Sequence, residues 1–282
     1  MIVDTHVHVI SDDLETYPLV TSDQRLGWVD EARFTVEEFV SLMGEAGVGA
    51  ATLVQPLTAY AYDNRYCALA AKRYSDRLTG VAIVNMEQSD AAPILRDLVE
   101  QDGMKGVRLF ARHRPGANWL DEPDTFPVWE LARELRFPIT VIMRVDQASK
   151  LGHMLERFPE VMVALDHLGS PPLADGPPYD SAAPIMDLAR FPNLRLKYSP
   201  SNMQATAKGS GDFQDVLKRF VDRFGVDRMM WGSNFSATYR PAYPELVDMG
   251  HEWISFLSSA EQAKLMGGNA LELWPSLRSA GS

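Results

Sequence analysis

The chain has a single cysteine, Cys67, so it can form no internal disulfide, and a thiol left reduced fits a reducing compartment. Cys67 has no CxxC partner and falls in a helical pattern, which reads as a buried structural thiol rather than a nucleophile. Long apolar runs are missing as well. No stretch reaches the roughly 18 apolar residues that a membrane-crossing helix needs. Residues 1–20 lack a basic segment followed by an apolar one, so the expectation is a cytoplasmic protein without a membrane partner. Basic charge is in deficit, with 27 Lys and Arg against 38 Asp and Glu and a formal net charge of −11. That balance argues against a nucleic-acid partner, so any anion site must be built from locally clustered arginines. There is no G-x-S-x-G elbow, and Ser233 in Trp-Gly-Ser-Asn does not supply one. The Gly-rich stretch at 208–211 has no phosphate-loop pattern.

What is present is a recurring unit. Short apolar runs at about 2–9, 50–55, 79–84, 105–110, 138–143, 160–166, 194–198 and 228–232 read as strands. Between and after them, helical patterns fall near 35–46, 61–75, 89–101, 124–135, 147–157, 181–189, 212–223, 243–257 and 259–273. Thr35 ahead of Glu37 and Glu38, and Pro127 in a first turn, are helix-start signals. Eight strand-then-helix units over 282 residues predict one domain, 1–282, folded as a (β/α)8 TIM barrel with C-terminal helices. A doubly wound open sheet is the runner-up. No low-complexity linker or internal repeat divides the chain. The segments 10–34 and 168–180 are too long for simple turns, and long loops after barrel strands build substrate pockets.

The first strand, Ile2-Val3-Asp4-Thr5-His6-Val7-His8-Val9, carries two histidines spaced i, i+2, which puts both imidazoles on one face. Two buried imidazoles side by side need a metal, an anion or a substrate to offset their desolvation. The polar residues that end the other runs are Gln55, Asn85, Arg108, Arg144, His167, Tyr198 with Ser199, and Asn234. In a barrel these positions face the catalytic end. Arg108 inside an apolar strand requires an anionic partner, either a structural carboxylate or a substrate, and Arg144 has the same two readings. Arg112, His113 and Arg114 lie just beyond. Adjacent residues on a strand point to opposite faces, so of Asp166 and His167 the histidine is expected in the pocket and the aspartate as a brace. His153 and His251 read as surface histidines.

The set Asp4-Thr5-His6-Val7-His8, Gly106-Val107-Arg108, Asp166-His167-Leu168-Gly169, Met230-Trp231-Gly232-Ser233-Asn234-Phe235 and Gly268-Asn269-Ala270 resembles the amidohydrolase superfamily. It is similar to the amidohydrolase-related branch that includes 2-pyrone-4,6-dicarboxylate lactonase, sugar lactonases and aminocarboxymuconate-semialdehyde decarboxylase. The resemblance implies a barrel with its site at the C-terminal face. In metal-dependent members it implies zinc on the HxH pair, a strand-five histidine and a strand-eight aspartate. In the pyrone-dicarboxylate type it implies arginines after strand four that hold substrate carboxylates, with no metal. This chain has Met143-Arg144 at the strand-five position and Asn234 at the strand-eight position, and neither supplies the expected ligand. Arg108 and Arg114, six apart, match the metal-free type.

The expectation is therefore a hydrolase of lactonase type that works without a metal cofactor on a small anionic substrate. Arg108, Arg114 and Arg144 would bind carboxylates, with Gln55, Asn85 and Tyr198 lining the pocket. His6 and His8 would polarise the carbonyl or stabilise the oxyanion, His167 would act as the base, and Asn234 would orient water. The alternatives are a decarboxylase or other lyase of aromatic or muconate-type acids, with zinc on His6 and His8 if a metal is bound, and a catalytically silent binding barrel. Assembly into a homo-oligomer through helix faces is compatible with this sequence but not specified by it.

Overall fold

The structure is a computed structural model and describes residues 1–112 and 119–281. Eight strands run parallel in sequence order: β1 (Ile2–Val7), β2 (Val48–Val54), β3 (Leu78–Ile83), β4 (Val107–Phe110), β5 (Ile139–Ile142), β6 (Val163–Leu165), β7 (Leu194–Tyr198) and β8 (Met229–Trp231). The ring is completed between β8 and β1 by a parallel bridge of Val7 with Phe235, and Thr5 Oγ1 donates to the Trp231 carbonyl at 2.6 Å. Gly232 is required at this seam, because a Cβ there would lie 2.9 Å from the Cβ of His6. This is the expected (β/α)8 barrel.

The strands are apolar on both faces because each lies between the barrel interior and a helix layer. Outward residues such as Leu194, Leu196 and Tyr198 join the large core cluster under the helices. The Tyr198 hydroxyl meets Met266 Sδ at 3.5 Å in that layer, so this side chain is turned away from the pocket it was expected to line. Inward residues form a second cluster, in which Val3, Ala50, Val81, Ala164 and Met230 pack with Trp274 and Leu277 from the end of the chain. The lower barrel is thus filled, and the polar residues that end the strands lie at the opposite end.

Helices form where an apolar stripe recurs at helical spacing. The helix Val36–Glu45 starts at Thr35 with a capping box, Thr35 Oγ1 accepting from the Glu38 amide while Glu38 accepts from the Thr35 amide. The helices Arg65–Arg73, Ala91–Glu100, Phe126–Leu135, Ala148–Arg157, Phe213–Phe224 and Tyr243–Trp253 match sequence expectations within a few residues. Two segments differ. The stretch expected as one helix over 181–189 is a four-residue helix, Ala183–Met186, between 3₁₀ turns. The 259–273 stretch is broken by a π-helical turn, Lys264–Gly268. Gly267 packs there against the chain start, where a Cβ would come within 2.2 Å of the Met1 carbonyl. Cys67 is buried and its thiol is pushed up to about 12 by desolvation, as suits a structural thiol.

Candidate active site

At the open end, Asp166 is the hub. Its carboxylate meets His6 Nδ1 at 3.2 Å, Arg108 Nε at 2.8 Å and Lys197 Nζ at 3.2 Å, with every partner buried. These bonds tie β1, β4 and β7 together, a bracing part such as was expected of Asp166, but from inside the barrel. The alternation rule itself puts Asp166 inside, two residues after inward Ala164. His167 joins it because β6 ends at Leu165 and the chain then turns through left-handed backbone, φ 52° at His167 and φ 51° at Leu168. Once the strand stops, neighbours no longer face opposite ways. Burial would raise the Asp166 pKa, but Lys197, His6 and Arg108 outweigh it and hold the carboxyl well below its ordinary range. Lys197 had no signal in the reading of strand ends, since it lies inside β7 with its Nζ 5.3 Å from the centroid of the Trp274 ring.

Hydrogen-bond accounting fixes the imidazoles. His8 Nδ1 is 2.7 Å from the Val54 carbonyl, which can only accept, so Nδ1 carries the hydrogen. Burial depresses the His8 pKa to about 3, and the ring is neutral with a bare Nε2. His6 Nδ1 likewise faces a carboxylate oxygen, and its Nε2 is 3.5 Å from an Arg108 nitrogen that can only donate. Burial also puts His6 well below the ordinary imidazole range. Neither ring can donate from Nε2, so the role expected of them as oxyanion donors does not fit their tautomers. Trp28, from the short helix Trp28–Glu31 in the long first loop, stacks on His8 at 5.6 Å.

A cavity of about 370 Å³ opens above this cluster. His8, His167 and Asn234 face it beside two guanidinium groups, Arg108 and Arg112. Leu26, Trp28, Phe110 and Ile142 supply an apolar wall. No Asp or Glu is among its described lining residues. Asn234 sits at φ 56° on the turn after β8, and its Nδ2 donates to Thr238 Oγ1 at 3.1 Å. His167, depressed to about 4 by burial, bonds through Nδ1 to Ser199 Oγ at 2.7 Å.

Other expected residues lie elsewhere. Arg144 pairs with Asp146 two residues on, at 3.1 Å, and is not among the cavity's lining residues; β5 stops at Ile142, so the chain has left the barrel before it. Gln55 is buried and donates to the Asp63 carbonyl at 2.6 Å, which ties down the loop after β2. Asn85 caps its own turn by accepting from the Glu87 amide at 3.1 Å. Asn64, not anticipated, bonds both the amide and the carbonyl of Ile83 at 2.8 Å. His153 is exposed and pairs with Asp121. Arg114, with His113, lies outside the described residues.

A divalent cation fits this donor set poorly. A guanidinium stands against His6 Nε2, and the Asp166 carboxylate is committed to two cations. No group of three or more His, Cys, Asp or Glu side chains is placed to hold a metal ion among the described residues.

A family model described as amidohydrolase matches residues 3–276. The chain belongs to the amidohydrolase family. An L-fucono-1,5-lactonase of Burkholderia ambifaria is 26% identical over 257 residues, covering 86% of this chain and 85% of that one. Among solved structures, a putative 2-pyrone-4,6-dicarboxylic acid hydrolase from Pseudomonas putida superposes with TM-score 0.78 at 20% identity, covering 98% and 97% of the two chains. An amidohydrolase from Burkholderia multivorans, solved with bound zinc, gives 0.76 at 20%, covering 98% and 99%. A 2,6-dihydroxybenzoate decarboxylase from Rhizobium gives 0.71 at 16%, covering 97% and 98%. At these identities the solved structures establish the shared fold.

Proposed function

We propose that this enzyme of the amidohydrolase family opens a small carboxylated lactone by metal-independent hydrolysis. The observation that carries the reading is the cavity itself, in which two guanidinium groups and a neutral histidine share a lining without any described acid. Arg108 has its Nε engaged by Asp166, and its terminal nitrogens point toward His6 and the cavity, suited to a substrate carboxylate or a carbonyl oxygen. Arg112, at the exposed lip, suits the carboxylate and long-range attraction of an anion into a chain that is acidic overall.

In the mechanism, His167 Nε2 removes a proton from water as the oxygen attacks the lactone carbonyl. Charge developing on the carbonyl oxygen is met by guanidinium N–H groups and by the second Nδ2 hydrogen of Asn234. The ring C–O bond then breaks, and the protonated His167 returns its proton to the leaving alkoxide. His6 and His8, with bare Nε2 atoms, accept hydrogen bonds from Arg108 or from the substrate and so orient both. The apolar wall of Leu26, Trp28, Phe110 and Ile142 receives the body of the ring and excludes water from its far face. The lactonase relative, alike over most of both chains, supports hydrolysis above decarboxylation.

The test is a pH-stat and gas-evolution assay on a panel of neutral and carboxylated lactones and hydroxybenzoates, run with and without prior chelation. Acid release from carboxylated lactones that survives chelation is expected. Carbon dioxide release in its place, or activity lost on chelation and restored by zinc, would overturn the proposal.

A further inference from the structure

The bonds behind His167 form a closed chain. The Asn202 nitrogen Nδ2 lies 2.7 Å from the His167 carbonyl, which only accepts, so the amide orientation is set. Its Oδ1 therefore faces Ser199 and accepts from the Ser199 amide at 3.2 Å and from Ser199 Oγ at 3.3 Å. A serine hydroxyl has one hydrogen. When that hydrogen is directed to Asn202, Oγ is left to accept from His167 Nδ1 at 2.7 Å, and in that arrangement Nδ1 carries the hydrogen. Ser199, Asn202 and His167 are all buried, so water cannot readily substitute for any member.

We propose that Ser199 and Asn202 are positioning residues that hold His167 in the tautomer whose bare Nε2 is presented to the cavity. The proposal rests on the reading of His167 as the base, and assigns the control of that base to the N-cap of the short helix Pro200–Thr206. Asn202 has two parts in it. Its oxygen sets the direction of the Ser199 hydroxyl, and its nitrogen secures the left-handed turn at His167, whose φ of 52° the backbone would not otherwise favour. Without the Asn202 oxygen, the Ser199 hydroxyl turns to donate to Nδ1, the hydrogen moves to Nε2, and the base is lost at neutral pH.

The test reads the tautomer directly, by NMR of the substrate-free protein with 15N-labelled histidine, the H167Q spectrum assigning the resonances. Wild type is expected to show Nδ1 protonated and Nε2 bare. N202L is expected to move the hydrogen to Nε2 and to lower kcat about a hundredfold with little change in KM. N202D, which keeps an acceptor for Ser199 but loses the donor to the His167 carbonyl, is expected to retain the wild-type tautomer while lowering kcat through the loosened turn. S199A leaves the Asn202 bond to the His167 carbonyl intact, and is expected to give a mixture of tautomers even if N202L fails to fold. A protonated Nε2 in wild type, or an unchanged tautomer in S199A, overturns the proposal. Because the tautomer is measured without substrate, a correct relay in a protein that opens no lactone would refute the proposed function alone.

Discussion

Replacing Asp166 with Asn isolates the charge balance at the centre of the barrel. The isosteric amide keeps the volume and removes the carboxylate that lies 2.8 Å from Arg108 and 3.2 Å from Lys197. Two unit-charge pairs at 2.8 and 3.2 Å attract by about 5–6 kcal/mol each at an effective dielectric of about 20. Desolvation of three buried groups offsets most of that in the intact protein, so the triad contributes little net stability. Breaking it is different, since both cations stay buried without their counter-ion. D166N is expected to cost about 3–5 kcal/mol, the range for orphaning one partner of a buried pair. K197M removes the more weakly paired cation and leaves Asp166 on Arg108, so its cost is expected near 1–2 kcal/mol, the lower part of the usual range for a point substitution. In the double variant only Arg108 remains uncompensated, and the sum of the single effects is expected to exceed the observed effect by about 1–3 kcal/mol. Urea unfolding of the four proteins at one pH and ionic strength gives the cycle. Additivity, or a D166N within about 0.5 kcal/mol of wild type, the scatter expected for an unimportant surface change, would refute the reasoning.

Three further outcomes follow from the same geometry. The folded pKa values of His8 and His167, about 3 and about 4, lie below the unfolded value of 6.5, so their contribution is complete above pH 6.5 and is lost as pH falls toward 4. His167 alone accounts for about 3 kcal/mol over that span. Asp4, raised to about 6 by burial, has the opposite sign and offsets part of one histidine. Urea midpoints should therefore drop on acidification, and a flat profile from pH 6.5 to 4.5 would show that these histidines are not buried neutral. If His167 is the base, activity at saturating substrate should persist below pH 6 and fall only toward its depressed pKa, while H167Q should lose about 10²–10⁴-fold in kcat; a wild-type midpoint at the ordinary imidazole value would contradict this. N234D places an anion in a cavity without a described acid, and should raise KM for a carboxylated substrate about tenfold or more while altering kcat less; a lower KM would show that the substrate's anionic group binds elsewhere.

The fold was legible because barrel strands buried on two faces are short apolar runs, and outside β1 the only ionisable residues within the strands are Arg108, Arg195, Lys197 and Tyr198. The pattern blurs where length is short. The segments around 181–189 and 259–273 carry helical spacing, but prolines, glycines and the closeness of Met1 to Gly267 impose other turns that sequence periodicity does not encode.

The site was legible only as far as strand alternation could be extended. The HxH pair, Arg108 and His167 are brought together as their spacing suggests, and Asn234 shares their cavity. Alternation failed at two kinds of place. One is the second residue past a strand end, where left-handed backbone keeps His167 on the cavity while Arg144 pairs with Asp146. The other is the strand interior, which a reading of strand ends passes over and where Lys197 is a buried cation on Asp166. A lysine flanked by Leu196 and Tyr198 in a strand that must be buried on both faces was the available signal, because such a charge has to meet a carboxylate inside the barrel. Following that requirement leads to Asp166, the one acidic residue at the end of an adjacent strand, and from Asp166 to the tautomer of His6. The chemistry of the pocket thus rests in part on a carboxylate that does not itself line the cavity, but holds Arg108 at its wall and decides which nitrogen of His6 remains bare.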